Sequence, residues 1–376
     1  MSSLLAWSAR TVTLKRRSPL RADFEEIRGD KRAFAAMAHL PLNNVDELAT
    51  GQQVGFFREW LREAASKNSP YWAARGHRDE IGKITAPTLL FGGWQDLVLP
   101  GKLADYAAMR AAGLDPYLTI GPWTHVDFAQ LGPAMTEAMG WFRAHITGDT
   151  SAVRSNPVRL YVQGADEWRD FPEYPPPGAV AQDWHLRPLG GLAPDRGDRG
   201  LSDHFRYDPR DPTPDFGGPN LDPKTGGRKD NAGREARPDV LVYSSDPLAA
   251  PVEVIGPVSA RITARLSGEH GDLFVRLCDV DENGVSTNVC DGIQKLTPES
   301  LPPDTDGTRT VSVELFPTAY LFRRGHRLRV QVCGGSFPRF ARNTGTGDPL
   351  ATASRTQVTD YEILDGSLTL PVTSTR

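Results

Sequence analysis

From residue 151 onward the chain is written in short runs in which apolar and polar residues alternate. They are "VRLYVQ", "DWHLRP", "DVLVYSS", "SARITARL", "DLFVRLCDV", "RTVSVELF", "HRLRVQVC" and "SLTLPV", and Gly, Pro and Asp turns separate them. Alternation with period two places one side of each strand on a core and the other toward water. Many short strands with turn punctuation predict an all-β sandwich over residues 151–376. The Pro-rich "FPEYPPPG" and the polar "DPRDPTPDFGGPNLDPKTGGRKDNAG" are long loops within it. The second is expected either to be ordered against a neighbour or to be partly mobile.

Residues 81–150 obey another rule. "APTLLFGG" is a short apolar run with Pro at its start and Gly at its end, which predicts a buried strand. "PGKLADYAAMRAAG" follows as a helix, with Pro100 in its first turn and Gly113 as its stop. "DPYLTIG" is a second strand, and "LGPAMTEAMGWFRAHITG" is another helix. Strand–helix–strand–helix implies parallel strands joined by a crossover, hence an α/β sheet. Two strands are too few for such a sheet to stand alone.

The chain ahead of them offers helices rather than the missing strands. In residues 1–80, "NNVDELATGQQVGFFREWLREAAS" has Asn at an N-cap and Asp46 and Glu47 in the first turn. Val54, Phe57, Leu61 and Ala64 then recur at helical spacing. "ADFEEIRGDKRAFAAMAHL" puts Phe24, Ile27, Phe34 and Met37 on a second stripe. Both helices must cover something. A sheet cut short in this way leaves an unpaired edge. A chain that starts at Met1 is therefore expected to be poorly soluble or to pair with a partner.

Composition removes several function classes. At 376 residues the chain can bury two cores, and a net charge of −4 with mixed signs gives no basic stripe for nucleic acid. Cys278, Cys290 and Cys333 lack Cys-x-x-Cys spacing, which predicts buried reduced thiols rather than a disulfide framework or zinc site. No apolar run reaches the ~18 residues of a membrane span. The N-terminal apolar patch precedes the basic "LKRR", the reverse of a secretory signal, so a cytoplasmic protein is expected. No metal or other cofactor is expected either. "CDVDENGVS" lacks the spacing of a calcium loop and reads as a hairpin turn at "DENG".

Chemistry concentrates at two places. Asp96 ends "FGGWQD" beyond the first α/β strand, and His125 ends "GPWTH" beyond the second. Either alone has an ordinary structural reading: Asp96 as a cap for the helix near Pro100, His125 as a loop histidine bonded to backbone. Reacting groups of open α/β sheets lie beyond the carboxyl ends of the strands. A carboxylate beside an imidazole there fixes the tautomer and stabilises the imidazolium, so the pair together predicts a catalytic acid and base. Trp94 and Trp123, which flank them, read as packing, Asp127 as a loop cap and His145 as structural.

"ITAPTLLFGGWQD" followed by "LTIGPWTH" resembles the X-prolyl dipeptidyl peptidase and cocaine esterase family (the CocE/NonD type) of α/β-hydrolase serine hydrolases. "PVRLYVQGADEWRDF", "DVLVYSSDPL", "VEVIGPVSARI", "CDVDENGVSTNVCDGI" and "FPRFARNTGTG" resemble its C-terminal jelly-roll domain. The resemblance implies a helical cap segment over 1–80 and the C-terminal part of an α/β-hydrolase domain over 81–150. It implies a jelly roll over 151–376, with Asp96 as triad acid and His125 as triad base. It also implies an ester, amide or peptide substrate.

The family's nucleophile lies in a Gly-x-Ser-Tyr-x-Gly elbow, and no Gly-x-Ser-x-Gly occurs in this sequence. "GGSFP" at Gly334–Pro338 has Pro at the second glycine and falls late in the β-rich part. Ser2, Ser3, Ser8, Ser18, Ser66 and Ser69 precede Asp96, yet none sits on a strand–turn–helix elbow. The chain is thus expected to correspond to the C-terminal two thirds of such an enzyme, and to be inactive alone. Loss of the nucleophile costs on the order of 10⁶ in rate in subtilisin. A non-catalytic β-sandwich binding protein and one half of a split hydrolase stand as alternatives. An oligomer or a separate N-terminal half are the partner arrangements left open.

Overall fold

The computed structural model describes residues 4–5, 8–9, 11, 32–64, 69–197, 202–222 and 224–373. Its first part is helical, as the spacing predicts, but in shorter pieces. The single helix expected from "NNVDELATGQQVGFFREWLREAAS" is two, α1 (Val45–Thr50) and α2 (Gly55–Glu63). The break has a local cause. Gly51 takes a left-handed φ of 75° and closes α1, a conformation glycine adopts at no steric cost. The Asp46 carboxylate then accepts from the Val54 amide at 2.7 Å and from the Arg58 guanidinium, which fastens the start of α2. Val54, Phe57 and Leu61 are buried, as their spacing predicts, whereas Ala64 is exposed. On the preceding helical turn (32–37) Met37 is buried but Phe34 faces solvent, so the expected Phe34–Met37 stripe does not form. Phe24 and Ile27 lie outside the described residues. What these helices cover is the β-rich part: their core includes Ala351, the Asn43 amide donates to the Ala351 carbonyl, and Arg342 donates to the Met37 carbonyl.

After α3 (Pro70–Ala73) the chain enters a four-stranded sheet. β1 (Leu89–Gln95), α4 (Leu99–Ala111), β2 (Tyr117–Thr124) and α5 (Leu131–Thr147) follow the expected order. Leu99, Leu103, Tyr106 and Met109 recur along α4 and are buried. Gly113 and Gly148 take left-handed φ beyond the ends of α4 and α5. β1 and β2 are parallel neighbours, and β2 pairs in parallel with β3 (Val158–Val162). β3 in turn pairs antiparallel with β4 (Glu167–Phe171). Here the structure departs from expectation. The alternation of "VRLYVQ" predicts a sandwich strand, but it is β3 of the α/β sheet, buried at every second residue. Alternation alone cannot tell the edge of a mixed sheet from a sandwich strand, because both have one buried face.

The remaining strands, β5 (Val180–Arg187) through β14 (Thr359–Thr373), build the expected β-rich sandwich. Between them come β6 (Gly191–Ala193), β7 (Asp203–Tyr207), β8 (Val240–Ser244), β9 (Val252–Leu266), β10 (Gly271–Val280), β11 (Ser286–Leu296), β12 (Thr308–Phe322) and β13 (Arg327–Cys333). Hydrogen bonding runs β11-β10-β13-β8-β6-β5-β14-β9-β12, with β7 on β14. Its core combines Val254, Ile262, Leu277, Val313, Val332 and Leu368. The three cysteines are free and buried, and burial pushes the Cys278 thiol up to about 12. "DENG" is the turn of the β10–β11 hairpin, where Asp281 Oδ1 accepts from the Asn283 and Val285 amides. The long polar loop is ordered against a neighbour. The Arg276 guanidinium, fully buried, donates to the Phe216 and Gly217 carbonyls and to Asn231 Oδ1, and it pairs with Asp291 at 2.9 Å.

The two sheets are joined directly. The Gln163 amide, just past β3, donates to the Ala319 carbonyl, and the Leu321 amide donates to the Gln163 carbonyl. Ile255 and Ala319 of the sandwich lie in the same core as Leu118, Ile120 and Leu160 of the first sheet.

One buried acid sets a pH dependence. Burial pushes the Asp272 carboxyl up to about 6, opposed by a 2.9 Å hydrogen bond from Asn343. The folded state thus holds this proton more tightly than the unfolded chain, whose ordinary value is about 3.9. That contribution to stability is full below about pH 4 and is lost as pH rises to about 6. Denaturation across this range should show stability falling with pH by about 2–3 kcal/mol from this site, and Asp272→Asn should remove that fall. An unchanged slope in the variant would contradict the assignment.

Candidate active site

The two motif strands come together because glycine lets them. An added Cβ at Gly93 would lie 2.1 Å from the Trp123 carbonyl oxygen of the neighbouring strand, and one at Gly121 would lie 2.2 Å from the Trp123 ring folded over its own strand. Only a residue without a side chain permits that approach. The indole of Trp123 then stacks on Phe91 at 5.1 Å, with 21° between the rings. Trp94 is buried, and its indole N–H donates to the Tyr161 carbonyl at 2.7 Å. Both tryptophans are packing residues, in line with the sequence reading.

The pairing register sets Gln95 opposite Thr124, with a bulge between Gly93 and Gln95. The residues that follow each strand therefore emerge side by side. His125 Nδ1 lies 2.9 Å from Asp96 Oδ1. The carboxylate is almost wholly buried, at 7% exposure, while 46% of the imidazole is open. Asp96 has its orientation fixed twice over: Oδ1 also accepts from the Val98 amide at 3.0 Å, and Lys102 Nζ lies 4.0 Å from Oδ2. Burial pushes the Lys102 ammonium below its ordinary range, against the pull of the Asp96 charge. Its main hydrogen bond is to the Phe91 carbonyl.

Several partners were not visible in the sequence. Gln130 Nε2 donates to the His125 carbonyl at 3.1 Å and so fixes the backbone of the base. Gln95 Nε2 donates to the Val289 carbonyl of the sandwich, which ties the acid loop to the second sheet. Gly227, in the long polar loop, comes within 3.3 Å (at the position of an added Cβ) of the Thr124 methyl. That loop therefore borders the end of β2. No sequence pattern announces contacts across such separations. Asp127 accepts from the Ala129 amide at 2.9 Å as the expected loop cap. His145 packs its ring on Trp141, with centroids 4.3 Å apart.

The serines are placed elsewhere. Ser336 of "GGSFP" is buried and donates to Asp215 Oδ1 at 2.7 Å, beside Arg234. Ser8 bonds the Leu4 carbonyl, and Ser69 caps α3. Ser2, Ser3, Ser18 and Ser66 lie outside the described residues. Among the described residues no group of three or more His, Cys, Asp or Glu side chains could hold a metal ion. The pair by itself can hold and move one proton. A carboxylate beside Nδ1 favours the proton there, and Nε2 is then the basic nitrogen.

Comparison with known proteins points to a hydrolase family. Residues 151–364 match the X-Pro dipeptidyl-peptidase C-terminal non-catalytic domain, and residues 2–127 match the X-Pro dipeptidyl-peptidase of the S15 family. The first two strands of the C-terminal match, β3 and β4, thus belong to the α/β sheet. Cocaine esterase from Rhodococcus sp. is 30% identical over 390 residues, covering 93% of this chain and 67% of that protein. A putative serine esterase of Mycobacterium bovis is 26% identical over 289 residues, covering 67% of this chain and 45% of that protein. An α-amino acid ester hydrolase of known structure superposes with a TM-score of 0.79 at 21% identity, over 91% of this chain and 64% of its own. An aminopeptidase from a marine sediment archaeon (Thaumarchaeota) gives a TM-score of 0.78 at 20% identity, with the same coverage. The chain thus spans about two thirds of the length of three of these relatives, and less than half of the mycobacterial esterase.

Gly93→Ala tests the packing that assembles the pair. The new Cβ meets backbone, which cannot swing away, so the strands must part. The expected cost is about 1–3 kcal/mol in chemical denaturation, with loss of the hydrogen-bonded His125 Nδ1 proton signal by NMR. Wild-type stability with that signal intact would contradict the close-approach argument.

Proposed function

The chain belongs to the X-Pro dipeptidyl-peptidase S15 family of hydrolases, and on that premise we propose that Asp96 and His125 are the acid and base of an ester- or amide-cleaving serine-hydrolase triad. The observation that carries the reading is the 2.9 Å Asp96–His125 hydrogen bond at the carboxyl ends of two adjacent parallel strands. The order of acid then base along the chain agrees with α/β-hydrolases, where the nucleophile precedes both.

In this mechanism Nε2 of His125 takes the proton of an attacking serine hydroxyl, and the serine oxygen forms an ester with the substrate acyl group. The proton then passes to the leaving alcohol or amine. Water repeats the sequence to release the acid. Asp96, held by the Val98 amide, keeps Nδ1 protonated and stabilises the imidazolium formed at each step. The nucleophile comes from residues outside this sequence. Neither Ser336, locked between Asp215 and Arg234, nor the capping Ser69 is available to the pair. The half-open imidazole fits a site of which one wall is supplied from elsewhere. We therefore propose that the chain by itself does not hydrolyse substrate.

A fluorophosphonate probe applied to the purified chain tests this. It should label no serine above the background seen with His125→Ala. Stoichiometric labelling of one serine of this chain, lost in His125→Ala, would contradict the proposal.

A further inference from the structure

The long polar loop that borders β2 is fixed against the carboxyl ends of all three parallel strands. Gly227 lies against the Thr124 methyl at the end of β2. The Gly227 carbonyl accepts from Asn288 Nδ2 at 3.1 Å, and the Lys229 amide donates to Asn288 Oδ1 at 2.8 Å. The next residue of β11, Val289, holds Gln95 at the end of β1. Between the two anchored residues stands Arg228, whose Nη2 donates to the Tyr320 hydroxyl at 2.8 Å. Tyr320 lies on β12 beside Gln163, at the end of β3. Among the described residues Arg228 pairs with no carboxylate.

The hold on this guanidinium is built from buried groups. It lies over the Tyr320 ring, with Cζ 5.1 Å from the centroid. The Tyr320 hydroxyl donates to Asp279 Oδ2 at 2.9 Å, and Asp279 Oδ1 lies 2.9 Å from His326 Nδ1. Tyr320 and Asp279 are buried, whereas Arg228 is exposed. The hydroxyl gives its one proton to Asp279, so its oxygen accepts from Arg228. The nearby acids are taken, Asp166 by Arg323 at 3.7 Å and Asp279 by Tyr320 and His326. An arginine kept only for surface charge needs no such support. Anchored at one nitrogen, this side chain has lost much of its freedom in advance, and the rest of its planar fork stays open to a ligand.

We propose that Arg228 is a specificity residue that binds a carboxylate on the substrate, held at the rim beside His125 by Tyr320 and Asp279. Ligands of parallel sheets gather beyond the carboxyl ends of the strands. Arg228 stands there at the end of β3, the strand next to the one that delivers His125. A guanidinium meets a carboxylate through two parallel N–H bonds, which a neutral amide or ester at the same place cannot match. The substrate class is thereby narrowed to esters or amides that carry a carboxylate on the acyl or the leaving group. The inference deepens the reading of His125 and rests on it for the position of the scissile bond.

Hippurate (N-benzoylglycinate), an amide with a carboxylate, and hippuramide, its neutral counterpart, are the probes for the purified full chain. Calorimetry should show hippurate binding about tenfold or more tighter than hippuramide, and hippurate should shift the His125 ring signals by NMR. Arg228→Gln should bring the two ligands to equal affinity while keeping a cooperative melt, because the side chain is exposed. Arg228→Lys should restore only part of the preference, since an ammonium cannot form the paired bonds. Tyr320→Phe leaves the charge in place, so as a positioning residue it should reduce the preference with hippuramide affinity unchanged. Absence of saturable hippurate binding, an unmoved His125 ring, or a preference that survives Arg228→Gln or Tyr320→Phe would overturn the proposal. The preference is read without turnover, which separates the two readings. A His125 ring protonated at Nε2 would remove the catalytic assignment and leave the carboxylate site standing, whereas loss of the preference alone would do the reverse.

Discussion

The parallel pairing of β1 with β2 is the constraint on which the rest depends. Gly93 lets the β1 backbone approach the Trp123 carbonyl of β2, and Gly121 leaves room for the Trp123 ring over its own strand. The register that follows brings Gln95 opposite Thr124, so that Asp96 and His125 leave the sheet together. Without that approach a hydrogen bond between residues twenty-nine apart in sequence would depend on two loops meeting by themselves. A rigid sheet places them before any substrate arrives, which is what an acid–base pair requires.

The second sheet then holds the first in place. Gln163 bonds β12 through both its backbone groups, and Gln95 reaches the Val289 carbonyl from the acid loop. The long loop beside the end of β2 is fastened from below by Arg276, which is buried against Asp291 and donates to two loop carbonyls. Removing one partner of such a pair strands a buried charge, so the loop and the sandwich core are coupled. The sandwich therefore forms part of the frame around His125 rather than a passive appendage.

Much of this was legible in the sequence, for physical reasons. Asp96 and His125 stood out because each follows a short apolar run closed by turn residues, and that pattern marks the carboxyl end of a buried strand. The helix limits at Gly113 and Gly148 were readable because left-handed φ favours glycine. β3 was assigned to the wrong sheet, since its alternation records one buried face and not which core buries it. The split between α1 and α2 was missed because the Asp46 carboxylate caps α2 from eight residues upstream, a bond that local spacing does not encode. Gln95 and Gln130 were invisible for the same reason: their roles depend on backbone brought near by the fold. The apolar face of α5 is a further case. The spacing predicts a helix there, but that Met135, Met139 and Phe142 meet solvent depends on what packs against it.

The central claim is that Asp96 holds His125 ready as a base, with Nδ1 protonated and Nε2 free. ¹⁵N NMR of the imidazole in the full chain tests it most directly, because the two ring nitrogens report the tautomer separately. For the neutral ring the expected result is an Nδ1–H tautomer with an unprotonated Nε2, and Asp96→Ala should return the ring to a mixture of both tautomers. A ring protonated at Nε2, or one that Asp96→Ala leaves unchanged, would contradict it.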